Sequence, residues 1–164
     1  MMRGIGKFLG GAVLVGSAVG LFLVPERAAS ESPQEQTTAP PGNNEPVPAF
    51  HAHAPQDALP ATMNANLFSG AVVQNAYTVA AKIKKTLYQE PCYCHCDRSQ
   101  GHASLFDCFA SKHGAECNIC IYEDLYTYEQ SRKGKTAAQI RAGIIKGEWQ
   151  SVDVSKYQSA LPAH

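Results

Sequence analysis

The sequence predicts an all-α fold: a small cysteine-rich bundle of three to four short helices around an irregular loop that carries a CxCxC pattern. Three observations lead there. Between residues 67 and 158 the apolar positions recur at three- and four-residue steps, with little strand-type alternation. Start and stop residues punctuate the periodic runs. All six cysteines fall in one stretch, as Cys92-Tyr93-Cys94-His95-Cys96, then Cys108, then Cys117-Asn118-Ile119-Cys120. Soft sulfur ligands are thus concentrated where so small a domain does not need all of them for packing.

Residues 1–30 read as a signal peptide or membrane anchor. Arg3 and Lys7 precede an apolar run over 8–24, and Pro25, Glu26 and Arg27 lead into the small residues Ala28-Ala29-Ser30. The run is close to the ~20 residues that span a bilayer, so cleavage and retention as an anchor are balanced expectations. No cysteine directly follows it to take a lipid, and Arg3 lacks the neighbouring arginine of twin-arginine export. An exported, periplasmic or extracytoplasmic location is therefore expected, with the cytoplasmic membrane as a partner if the segment stays uncleaved.

Residues 31–66, rich in Pro, Ala, Gln, Thr and Asn, read as a flexible linker, because few branched apolar side chains are present to offset ordering entropy. His51 and His53 within it are read as solvated. The cysteine-rich helical domain follows over 67–158, and 159–164 are a tail.

The first predicted helix carries Val72, Ala76, Val79, Ala80, Ile83 and Leu87 on one face and is closed by Pro91. The CYCHC segment then begins in extended or irregular backbone, where alternation would set Cys92, Cys94 and Cys96 on one side and Tyr93 and His95 on the other. A second helix has a capping box at Ser104 and Asp107, Leu105, Cys108 and Phe109 on one face, and Gly114 as a left-handed stop. Lys112 and His113 fall in its last turn, so His113 is read as a helix-end cation ahead of a ligand.

Cys117 and Cys120 open a third helix, with Ile121, Leu125 and Tyr128 inward and Glu123, Asp124 and Glu129 facing water. A first-turn position favours thiolate, so a lowered Cys117 pKa is expected. Tyr122, Tyr126 and Tyr128 are read as packing residues with a wet hydroxyl. Gly134 ends this helix. Thr136 and Gln139 form the capping box of a last one, with Ile140, Ile144 and Ile145 inward and Trp149 near its end.

The residues PCYCHC, then Gly101-His102 with Leu105 and Cys108, then KHGAECNIC and a helix, resemble a family of small exported bacterial proteins recognised by a PCYCxC motif. The resemblance covers roughly 88–149. The family's biochemical role is unassigned, and some members carry selenocysteine in the motif, which implies redox or soft-metal chemistry. The position between the last two motif cysteines, often glycine in the relatives, is His95 here; it either adds a nitrogen ligand or is tolerated on the outward side.

The favoured reading is a soft-metal site built from Cys92, Cys94, Cys96, Cys108, Cys117 and Cys120 with His102 in support, taking Cu(I) ahead of Zn(II). Its rivals are a thiol-disulfide redox protein, with Cys117 attacking and Cys120 resolving, and a disulfide-stapled scaffold with fifteen possible pairings. The CxCxC spacing argues against stapling, because cysteines so close do not easily find distinct unstrained partners. Ile121 follows the CxxC where covalent haem attachment requires histidine. With 14 basic and 14 acidic residues dispersed along the chain there is no electrostatic footprint for nucleic acid. No catalytic residue is singled out, and an enzyme is not the favoured class.

Overall fold

A computed structural model describes residues 45–159 and 161. Among them are seven α-helical segments and no strand: α1 (Ala71–Lys82), α2 (Lys84–Leu87), α3 (Cys96–Ser99), α4 (Leu105–Ala110), α5 (His113–Glu116), α6 (Asn118–Arg132) and α7 (Ala137–Ile145). Single 3-10 turns at Ala65–Leu67, Glu148–Ser151 and Val154–Tyr157 complete the helical content. The four helices expected from periodicity correspond to α1 with α2, α4, α6 and α7, and the additional one-turn pieces are the corners between them.

The long first run divides because Ile83 leaves the helical region (φ −115°, ψ 22°), its N–H shared between the Val79 and Ala80 carbonyls. Helix α2 then restarts in a new direction, keeping Leu87 in the core with Ala76, Val79 and Ala80.

Helix α6 is the axis of the domain. α1, α2, α4, α5 and α7 all pack against it, so it has almost no wet face. This overturns the assignment of Glu123 and Asp124 to solvent: both are 0% exposed. A charge on a helix marks a solvated face only when the helix lies at the surface. Burial holds both carboxyls well above the usual carboxylate range. Glu90, buried just before the cysteine loop, is pushed up to about 8 by the same desolvation, with Arg141 acting against it.

Capping follows the sequence at two helix starts. Thr136 Oγ1 accepts the Gln139 N–H at 3.3 Å while Gln139 Oε1 accepts the Thr136 N–H at 3.0 Å. Asp107 Oδ2 accepts the N–H groups of Ala103 (2.7 Å) and Ser104 (3.1 Å). Gly134 is left-handed, as expected of a helix stop (φ 78°).

Gly114 has a different job from the one predicted. It lies inside α5 without a positive φ, and a Cβ there would stand 3.0 Å from the Cys108 carbonyl oxygen and 3.1 Å from the Phe109 ring. Close approach of α5 to α4 demands it. Helix α4 has already ended at Ala110, so His113 begins α5 instead of closing α4. Tyr77 fixes this corner, donating to the Ser111 carbonyl at 2.7 Å and accepting the Ala115 N–H at 3.1 Å.

Of the segment assigned to a linker, 31–44 lie outside the described residues, while 45–66 lie along the helices. His51 stacks on Tyr88 with ring centroids 3.8 Å apart, the Arg141 guanidinium covers Phe50, and the Met63 N–H reaches the Phe109 carbonyl at 2.9 Å. Lys84 Nζ donates to the carbonyls of Leu59 and Pro60. Among the described residues no helix is long and apolar enough to cross a membrane; the predicted signal or anchor at 1–30 lies outside them.

Candidate metal centre

Three backbone devices bring the six sulfurs together. The first is the loop after Pro91. The Tyr93 N–H donates to Glu123 Oε1 at 2.9 Å, the His95 N–H returns to the Cys92 carbonyl at 3.1 Å, and His95 is left-handed (φ 55°, ψ 36°). The chain therefore reverses at His95 and α3 starts at Cys96. Cys92, Cys94 and Cys96 do face one region, and the backbone there is an irregular tight turn, the irregular one of the two forms expected, so alternation along an extended segment is not what places them. Cys92 Sγ and Cys94 Sγ lie 3.4 Å apart.

Helix α4 is the second device. Its apolar face, Leu105, Cys108 and Phe109, is buried as the periodicity predicts, and it sets Cys108 Sγ 3.4 Å from Cys96 Sγ. His102 Nδ1 lies 3.3 Å from the same Cys108 sulfur. The third device is the start of α6. Cys117 is its extended N-cap residue, and Cys120 in the first turn sits 3.3 Å from Cys92 Sγ and 3.6 Å from Cys94 Sγ.

Every sulfur singled out from the sequence thus joins one cluster, with His102 at its edge, and all six cysteines are free thiols. Periodicity missed His113, whose Nε2 is 3.5 Å from Cys94 Sγ. Ligand atoms of Cys94, His113, Cys117 and Cys120 lie within 4.8 Å of one another, as do those of Cys96, Cys108 and His113. Glu123 was missed too, although it shares the Cys120 face at three-residue spacing, which is the pattern that could have found it. His95 turns away from the sulfurs to pair with Glu45 (Nε2 to Oε1 2.9 Å), and His51 is engaged with Tyr88.

The cluster is closed on one side and open on the other. Cys92, Cys96, Cys108 and Cys120 are buried, whereas Cys94, Cys117, His102 and His113 are half-buried. Crowded thiols share protons, so thiolate character concentrates where the others can donate. The Cys94 pKa is lowered, chiefly by the thiols of Cys108 and Cys120, and Cys96 is lowered by the same partners. Cys120 is raised, first through Cys108. Cys117 is also raised: burial there outweighs the α6 N–H groups, correcting the expectation of a lowered pKa at this helix start. Six polarizable sulfurs and two imidazoles gathered in one place are a donor set for a soft cation.

A small all-α domain whose chemistry is confined to one thiol cluster is the class that these observations define. The model of a family described as a protein of unknown function with PCYCGC motif matches residues 50–151, and the chain belongs to that family. No curated protein and no solved structure matches it. The glycine of the family motif corresponds to His95, and the left-handed backbone there gives the physical reason for glycine.

Proposed function

We propose that the protein captures a soft transition-metal ion, Cu(I) ahead of Zn(II), through its clustered thiolates, on the outer side of the cytoplasmic membrane. The observation that carries this reading is the convergence of all six sulfurs from three separate segments, five of them with a sulfur neighbour 3.3 to 3.6 Å away and Cys117 within 4.8 Å of Cys94 and Cys120, none bonded to another. Sulfur outnumbers nitrogen three to one in the set of six cysteines with His102 and His113, which favours the softer ion. The basic and apolar amino-terminal segment supports export.

The ion enters at the half-buried edge, where Cys94 already has thiolate character. Cys92, Cys108 and Cys120 then exchange S–H protons for metal, so loading releases protons and weakens as pH falls. The test is Cu(I) competition against a chromophoric chelator, using the reduced full-length chain. Replacing Cys117 and Cys120 together by Ser should weaken binding by more than about 100-fold, beyond what loss of a supporting group alone produces. Unchanged affinity and stoichiometry would refute the ligand assignment. Separating cell fractions with the full-length chain tests the location, and recovery in the cytosol would oppose export.

One observation favours a second reading, thiol-disulfide exchange: Cys94 is both lowered in pKa and half-buried, as an attacking thiolate needs to be. In that case Cys94→Ser, rather than Cys117→Ser, abolishes turnover of a disulfide substrate.

A further inference from the structure

We infer that the cluster holds two metal ions side by side, each with three sulfurs and one imidazole. The inference rests on the soft-metal reading and specifies its stoichiometry. The cluster contains eight soft or borderline donors, whereas a closed structural site of the zinc type takes four, with metal–sulfur distances of about 2.3 Å and metal–nitrogen distances of about 2.0–2.1 Å. Tetrahedral geometry at those lengths puts the donors about 3.5–3.8 Å apart.

The donors divide without remainder. Cys94, His113, Cys117 and Cys120 form one set, all four atoms lying within 4.8 Å of one another. A small contraction completes a tetrahedron. The other four donors are Cys92, Cys96, Cys108 and His102. Here Cys96 and Cys108 are 3.4 Å apart and His102 Nδ1 is 3.3 Å from Cys108 Sγ. Cys92 Sγ lies within 4.8 Å of both the Cys96 and the Cys108 sulfurs. Cys92, Cys96 and His102 also line one small crevice beneath Pro48 and Ala49.

Each set draws on separate chain segments. The first joins the cysteine loop to α5 and the start of α6, and the second joins that loop and α3 to α4. The sets touch where Cys92 Sγ meets Cys120 Sγ at 3.3 Å and Cys94 Sγ at 3.4 Å, His113 also lies within 4.8 Å of the Cys96 and Cys108 sulfurs, and the His102 and His113 rings stand edge to face at 5.2 Å.

The experiment is a titration of the reduced, metal-free full-length chain with Cd(II), a soft d10 probe, followed by native mass spectrometry and by the sulfur-to-cadmium charge-transfer absorption. Two ions per chain are expected, with absorption saturating at two equivalents. His113→Ala and His102→Ala, both at the half-buried edge, should each retain wild-type helicity and one tightly held ion while weakening the other by about 10-fold or more. A single ion in the wild-type chain overturns the inference and leaves the soft-metal reading standing. Three or more ions, or loss of both ions on either substitution, also overturns it, since the donors would not then divide into these two sets. Failure to retain either Cd(II) or Cu(I) removes the soft-metal reading as well.

Discussion

Cys120 and Glu123 stand one helical turn apart on α6 and grip the same loop: Cys120 Sγ lies 3.3 Å from Cys92 Sγ, and Glu123 Oε1 accepts the Tyr93 N–H at 2.9 Å. Burial holds the Glu123 carboxyl well above its usual range, against the opposing pull of Cys92 and the Tyr93 N–H. A protonated carboxyl keeps a carbonyl oxygen for the Tyr93 amide, so the neutral acid suffices to anchor the loop.

Replacing that anchor separates its hydrogen bond from its charge. Glu123→Gln retains an acceptor of the same shape and should leave stability within about 1 kcal/mol of wild type. Glu123→Ala orphans the Tyr93 N–H and opens a void, which should cost about 3 kcal/mol in urea unfolding and weaken Cd(II) binding about 10-fold or more. Equal stability of the two variants would show that the loop does not depend on this bond.

His95 occupies a left-handed position that the family motif gives to glycine. That conformation costs a side-chain-bearing residue about 1–2 kcal/mol. The compensating pair with Glu45, whose side chain is 53% exposed, is worth less than about 1 kcal/mol. His95→Gly should therefore raise the urea midpoint slightly, by up to about 1 kcal/mol in stability, with no change in bound metal. A marked drop in metal stoichiometry would instead make His95 a ligand.

The helical class, the helix starts and the participation of all six sulfurs were legible because each rests on local spacing: Thr136 with Gln139, the face shared by Leu105, Cys108 and Phe109, and the CxxC of the α6 first turn. What depends on the neighbours of an element was not legible. Glu123 and Asp124 look solvated on a helical wheel and are buried because five other helices surround α6. His113 moved from a helix end into the cluster because α4 stops early and a new turn begins. That turn is made possible by Gly114, whose missing Cβ admits a contact no periodicity encodes.

Gly114→Ala tests that close approach. The added methyl would meet the Cys108 carbonyl at 3.0 Å and the Phe109 ring at 3.1 Å, both in the core and unable to swing aside. Overpacking of this kind costs about 1–3 kcal/mol. Because α5 carries His113, the displacement should also weaken one of two bound ions while sparing the other. Thermal unfolding with and without Cd(II) measures both effects, and a variant as stable as wild type would mean that α5 can shift freely on α4.

Asp124 gives the metal-free chain a pH dependence of definite sign. Its carboxyl is fully buried, neither oxygen has a hydrogen-bond partner, and desolvation holds its pKa well above the ordinary value. The folded state therefore keeps a proton that the unfolded chain releases above about pH 4. The contribution of this carboxyl to stability falls as pH rises from that point until the folded carboxyl itself ionises, with a slope of up to about 1.4 kcal/mol per pH unit for one group. Glu90, pushed up to about 8, adds a loss of the same sign between its unfolded value and that pH. Asp124→Asn preserves the shape without the proton, so its urea midpoints between pH 5 and 8 should decline less steeply than those of wild type. Parallel curves would show that Asp124 is not held neutral. Metal loading runs the other way, since thiols must lose protons to bind, so capture tightens over the pH range in which these carboxyl contributions to the empty fold are lost.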